Sequence, residues 1–180
     1  MTQFQTNREK TRRLAVGAVM ASLGLIFSYI EVLLPFSVGI PGVKLGIANL
    51  VVVIALYTLG GKMAFSINGI RILAAGLLFN GVFGALYSLA GACMSFFVML
   101  ALKKTNLFSI VGVSMAGGVA HNVGQLLVAA VLISNLKIFV YFPVLLFSGM
   151  LTGIFIGILS SLILSKVRLK DSAKNLFFDR

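Results

Sequence analysis

The chain has no tryptophan, one cysteine, one histidine, three prolines and four acidic residues among 180. Each scarcity excludes something. A lone Cys93 cannot close an intramolecular disulfide, and it leaves the redox compartment open. The acids Glu9, Glu31, Asp171 and Asp179 never stand as a pair, so the chain lacks the clustered carboxylates that hold divalent metals. Gly60-Gly61-Lys62 lacks the spacing of a phosphate-cradling G-x-x-x-x-G-K-[ST] loop, so any ATP is hydrolysed by another chain. Long hydrophilic stretches are also missing, apart from residues 1–13 and 166–180. That leaves no room for a separate soluble domain.

What is present is hydrocarbon. The chain is 59% hydrophobic and only 11% charged, with a mean hydropathy of +1.08. It reads as all-α, a single integral-membrane domain over residues 1–180, with about 14–165 embedded. A bilayer core needs about 20 helical residues per crossing. Six apolar runs answer to that: 14–34, 45–59, 63–79, 82–102, 109–133 and 138–165. The second is short. The third and fourth share an uncharged stretch, which the turn dipeptide Asn80-Gly81 divides. The basic N-terminus ahead of the first run imitates a secretory leader. The run is long for one and more spans follow, so it reads as a span.

The net charge of +11 sits at the ends and in short loops. That is a pattern of membrane topology, not of a surface that tracks nucleic acid. With six spans, both basic tails, Lys62, Lys103 and Lys104 fall on one side, and only Lys44 and Lys137 on the other. The positive-inside rule then makes both termini cytoplasmic, in a multi-pass protein of the cell membrane.

Against this background, ten polar residues sit where lipid is expected: Glu31, Asn49, Asn68, Arg71, Asn80, Ser88, His121, Asn122, Gln125 and Ser148. Ionisable groups inside a bilayer are costly and mark functional sites. In the six-span topology they gather from mid-membrane outward, which predicts a cavity open to the outside. His121 and Gln125 share a helix face, as do Asn68 and Arg71. Arg71 cannot deprotonate and needs an anion or several carbonyls. Glu31 is its obvious partner, either as a structural pair or within a ligand site. Lys44, Asn49 and Asn80 complete the candidate substrate-binding set of Arg71, His121, Asn122, Gln125 and Glu31. Lys44, Arg71 and His121 against Glu31 favour a neutral or anionic small molecule. Tyr29, Phe79, Phe83 and Tyr87 offer a flat apolar wall for it.

Two further features concern access and packing. Residues 35–46, PFSVGIPGVKLG, are broken by two Pro and three Gly yet largely apolar, and read as a hinged lid over the cavity or as a plain connector. Small residues form stripes, Gly17-Ala21-Gly24-Ser28 on the first run and Gly149-Gly153-Gly157-Ser161 on the last. Such faces let helices approach closely. For the last run, packing inside the bundle is the favoured use.

The stretch PGVKLGIANLV at 41–51, Arg71-Ile-Leu with Phe79-Asn80, Tyr87-Ser-Leu-Ala-Gly91 and the 118–125 stretch ending His-Asn-Val-Gly-Gln resemble the Gx transporter family over roughly residues 12–165. That family is often labelled heptaprenyl diphosphate synthase component I. It is similar to the substrate-binding S components of energy-coupling factor transporters. The resemblance implies a six-helix protein that captures a nutrient from outside beneath a lid between helices one and two. It also implies docking, through small residues of the first helix, on a transmembrane coupling subunit with two ATPases. Gly17, Ala18, Ala21, Ser22 and Gly24 stand at the comparable place, without the alanine pattern of the best-known members. The synthase label conflicts with the missing Asp pairs, since prenyl diphosphate synthesis needs clustered Asp and magnesium. The expectation is therefore a substrate-binding transport subunit, not an enzyme, with no cofactor. Its partners are a small molecule, membrane lipid and the coupling and ATPase chains. The alternatives are a self-contained secondary transporter, or a noncatalytic accessory of heptaprenyl diphosphate synthesis. No internal repeat supports the carrier.

Overall fold

A computed structural model describes residues 3–33 and 46–178, with side-chain surroundings for residues 7–33 and 46–167. Lys44 and all of the 35–46 segment except Gly46 lie outside the described residues. Every regular element among those described is helical. The α-helices are α1 (Gln3–Leu33), α2 (Ile47–Thr58), α3 (Gly61–Ala75), α4 (Gly81–Thr105), α5 (Ile110–Ile133) and α6 (Phe142–Phe178). A π-helical turn, Gly76–Asn80, joins α3 to α4, and a 3-10 turn, Leu136–Tyr141, precedes α6.

By length and composition, four helical stretches can cross a membrane: Asn7–Leu33, Gly61–Thr105, Ile110–Ile133 and Leu136–Val167. Their outward surface agrees with that. Leu77 is 89% exposed, Val140 78% and Val131 76%. Water would penalise such a surface, whereas acyl chains accept it. Helices are the natural answer in hydrocarbon because they satisfy their own backbone donors and acceptors.

The stretch Gly61–Thr105 is not one rod. Gly81 has φ +68°, a conformation that suits glycine, and there the chain doubles back. A methyl on Gly76 would lie 2.5 Å from Cβ of Ala85, and one on Gly61 3.0 Å from the Leu100 side chain. Between them, the Phe65 ring meets Phe96 at 5.1 Å. These contacts run in antiparallel order, so α3 and α4 form a hairpin that reverses at Asn80-Gly81.

Helix α2 is short and interior. Its 12 residues rise about 18 Å, well under the hydrocarbon core of about 30 Å. Ala48, Leu50, Val51, Val52, Val53, Ala55 and Leu56 are all buried, against α1, α3 and α6. Apart from Asn49 and Thr58 its residues are apolar, as befits a helix packed against three neighbours. Both its ends are met by charge from other helices. The Glu31 carboxylate of α1 accepts the Ile47 N–H at the start. The Lys103 ammonium of α4 donates to the Leu56 carbonyl at 2.6 Å near the end and lies 4.8 Å from the Tyr57 ring centre. An acid at the N-terminus and a base at the C-terminus both complement the helix dipole.

The α5–α6 seam is the closest in the bundle. A methyl on Gly118 would run into the Gly149 carbonyl oxygen, one on Gly153 would lie 2.7 Å from Cα of Met115, and one on Gly157 2.7 Å from Cα of Val111. The glycines of the last stripe thus face α5, inside the bundle. Gly17, Ala21 and Gly24 of the first stripe also turn inward and are buried. A methyl on Gly17 would meet Cε of Met63 at 2.6 Å, and one on Gly24 Cδ of Arg71 at 2.8 Å. Ala18 and Ser22 are exposed on the opposite side of α1. The five small residues expected on one docking face therefore divide between two faces of α1, because a helix turns 100° per residue and buries only one side.

Candidate functional site: a polar cavity inside an apolar bundle

The end of α1, the start of α2, the α3–α4 reversal and the middles of α5 and α6 meet around a cavity of about 120 Å³. Of the residues expected to bind substrate, Glu31, Asn49, Arg71, Asn80, His121, Asn122 and Gln125 all line it, together with Ser88. Lys44 lies outside the described residues. Asn68 and Ser148 stand one layer behind, each bonded to a lining residue.

Arg71 enters from α3. Its stem crosses α1 at Gly24, where any Cβ would collide with it. Nη1 donates to Ser28 Oγ at 2.8 Å and Nη2 to Asn68 Oδ1 at 2.7 Å. Ser28 Oγ in turn donates a hydrogen bond to the Gly24 carbonyl at 3.0 Å. Arg71, Ser28 and Asn68 are all buried. Buried Nε has no hydrogen-bond partner among the described residues. The Glu31 carboxylate attracts the guanidinium electrostatically while it caps α2. Glu31 thus serves both an internal helix end and the cavity wall.

The other wall carries no Lys, Arg, Asp or Glu. Asn122 Nδ2 donates to the Leu145 carbonyl at 2.6 Å and to Ser148 Oγ at 3.2 Å, which ties α5 to α6. This use of its amide N–H leaves the carbonyl oxygen for the cavity. His121 and Gln125 lean toward α4 where it carries no side chain: a methyl on Gly91 would lie 3.0 Å from His121 Nε2 and 2.8 Å from Gln125 Cγ. Gln125 is only 2% exposed, and no hydrogen bond of its side chain forms among the described residues. The side chains of Asn49, Asn80 and Ser88 are likewise unbonded among those residues. Gln125 is buried and Asn49, Asn80 and Ser88 are half-buried, so among the described residues these donors and acceptors are left available at the cavity wall.

The expected aromatic wall is absent from the cavity. Tyr29 and Phe79 pack on each other with centres 5.5 Å apart, and Phe83 is 74% exposed. Tyr87 does not line the cavity either. None of the four rings lines the cavity, and its apolar lining is aliphatic: Val32, Ala48, Ile72 and Ala75. Two polar lining residues had been passed over as site candidates, Ser28 and Thr152. Each had a usable signal. Ser28 lies three residues before Glu31, and Thr152 four after Ser148, so each shares a helix face with a suspected residue.

A second concavity lies along α1, α2 and α6. It is an apolar groove of about 760 Å³ with Arg12, Arg13 and Glu9 at one end and Met20, Leu23, Phe27 and Ile54 along its walls.

No curated protein and no solved structure is significantly similar to the chain. A family profile described as heptaprenyl diphosphate synthase component I matches residues 20–163. That span takes in α2 to α5 entirely, every cavity-lining residue, nearly half of α1 and most of α6. The chain belongs to the heptaprenyl diphosphate synthase component I family.

Proposed function

We propose that this membrane protein is the noncatalytic substrate-binding subunit of an importer, of the S-component kind, and that the polar cavity is where it captures a small molecule. Six crossing segments, with both termini cytoplasmic, then put the cavity on the outer side. The antiparallel α3–α4 hairpin and the distribution of Lys and Arg support that count and that orientation. The observation that carries the reading is Gln125: an amide 2% exposed, unbonded among the described residues, lining a cavity inside an otherwise apolar bundle. Polar groups at a cavity wall are hydrogen-bonded by whatever fills the cavity, a part that a small polar ligand can play. Energy for uptake comes from separate coupling and ATPase chains, since this sequence has no phosphate-cradling loop.

A second reading has its own observation. The apolar groove with Arg12 and Arg13 at its mouth suits the tail and headgroup of a prenyl diphosphate, and the family's description concerns that chemistry. The role would be that of a noncatalytic accessory, because the four scattered acids cannot assemble a magnesium-diphosphate site.

One experiment separates the two. The protein is purified in mild detergent and its small-molecule extract is analysed by mass spectrometry. Import predicts a compact polar compound that Gln125→Leu abolishes and that Arg12→Gln/Arg13→Gln leaves unchanged. A prenyl diphosphate lost from the Arg double variant and kept by Gln125→Leu would overturn the import reading.

A further inference from the structure

The charges and vacant hydrogen-bonding groups of the cavity narrow what it can hold. Among the described lining residues, Glu31 and Arg71 are the only formally charged ones, and their charges cancel. Each is also engaged within the protein: Glu31 with the α2 N-terminus, Arg71 with Ser28 and Asn68. A ligand bearing net charge would enter a low-dielectric space in which the carboxylate and guanidinium of the described residues cancel. It would lose its hydration without finding an uncommitted counter-charge. Besides the fully buried Arg71 Nε, the lining groups unbonded among the described residues include the side chains of Asn49, Asn80, Ser88 and Gln125, three of them primary amides. A primary amide offers donors and an acceptor side by side. The partner that satisfies several such groups at once carries an N–H and a C=O on neighbouring atoms. Volume sets the scale. A cavity of about 150 Å³ accepts benzene, and this one, at about 120 Å³, is smaller.

We infer that the ligand is a compact, net-neutral molecule smaller than benzene with an amide-type edge, read by Gln125, Asn49 and Asn80. This rests on the cavity being the binding site proposed above. It narrows the sequence-based expectation, which left anionic ligands open. Arg71 accounts for that change: in sequence it is a cation in search of an anion, whereas in the fold it is held by two neutral oxygens and faces Glu31. Arg71 and Glu31 act as an internally balanced pair that sets the charge the cavity accepts.

Three probes of one shape and different charge test this: acetamide, acetate and acetamidinium. Binding to the full-length protein in nanodiscs is measured at neutral pH by calorimetry. Wild type is expected to bind acetamide about tenfold more tightly than either ion, the effect of roughly one lost or unpaired hydrogen bond. Gln125→Leu should lose about that factor for acetamide. Glu31→Gln keeps an oxygen that accepts the Ile47 N–H, so α2 stays capped while the cavity gains a positive charge. Its preference should move to acetate. Arg71→Gln should move preference to acetamidinium. Acetate or acetamidinium binding wild type as tightly as acetamide would overturn the neutrality inference and leave the cavity as a binding site. If no probe binds wild type at millimolar concentration, both the inference and the cavity reading fall.

Discussion

The two sides of the bundle use small residues for opposite purposes. On the α1–α3 side, Gly17 and Gly24 leave space that long side chains fill, Met63 and Arg71 respectively. On the α5–α6 side, Gly118, Gly149, Gly153 and Gly157 leave space that backbone fills. In sequence both are stripes of small residues about one turn apart, with no signal to tell them apart. The difference matters energetically. A methionine methyl can swing away, but a carbonyl in a helix cannot move without its helix. It also matters chemically. Space for a side chain let α1 admit a guanidinium to the interior, so this side of the cavity carries both charges. Close backbone contact allows no such entry, and α5 and α6 contribute no Lys, Arg, Asp or Glu to it.

The comparison is broken most severely at Gly118. Gly118→Ala places a methyl against the Gly149 carbonyl oxygen and within 3.2 Å of Cα of Gly153. The helices must separate, and overpacking of this kind costs about 3 kcal/mol at its upper end. The chain has no tryptophan to report unfolding, but half-buried Cys93 is its only thiol. Heating in detergent with a thiol-reactive fluorophore therefore follows exposure of α4 directly. Gly118→Ala should lower the midpoint more than any other single methyl described below. A midpoint equal to wild type would mean that α5 and α6 are not in backbone contact.

A smaller loss is expected on the charged side. Arg71→Met retains much of the stem packed over Gly24 but removes the donors to Ser28 and Asn68. It leaves Asn68 Oδ1 unsatisfied in a buried place and Glu31 without its opposing charge. A hydrogen bond to a charged group contributes about 1.5–3 kcal/mol, and relief of burying the cation offsets part of it. The net loss should be about 2 kcal/mol in the same thermal assay. Adding Asn68→Leu to Arg71→Met removes the orphaned amide and should recover part of the midpoint. If the double variant is no better than the single, Asn68 is not the partner whose loss matters.

Much of the cavity was legible in the sequence because polar residues in hydrocarbon are conspicuous whatever the tertiary arrangement. Glu31, Asn49, Arg71, Asn80, His121, Asn122 and Gln125 were read as one group, and all line one cavity. The helical class and the reversal at Asn80-Gly81 followed from hydropathy and one turn dipeptide. Pairings between helices were not legible. Periodicity states which residues share a face, not which neighbouring face they meet. Hence Ser28 as a partner of Arg71, Leu145 as acceptor for Asn122 and Glu31 as cap of α2 were all missed. The aromatic wall failed for the same reason: Tyr29 and Phe79 are near the cavity in sequence but pack on each other and do not line it.

The smallest effect on stability is the one most informative about partners. Gly17→Ala meets only Cε of Met63 at 2.6 Å and Cδ1 of Ile67 at 3.9 Å. The first belongs to a flexible side chain that can rotate aside. Replacing glycine in a helix by alanine contributes up to about 1 kcal/mol in favour of folding, so the two effects nearly cancel and the midpoint should scarcely change. Ala18→Leu lies on the exposed side of α1 and should also leave the midpoint alone, since lipid accepts leucine there. The two variants then part company in a transport assay. If α1 docks on a coupling subunit, it does so through the side that carries Ala18 and Ser22, because Gly17, Ala21 and Gly24 are turned to α2 and α3. Ala18→Leu should reduce uptake and co-purification with the coupling and ATPase chains several-fold, whereas Gly17→Ala should leave both intact. Loss of uptake in Gly17→Ala with none in Ala18→Leu would reverse this assignment of faces.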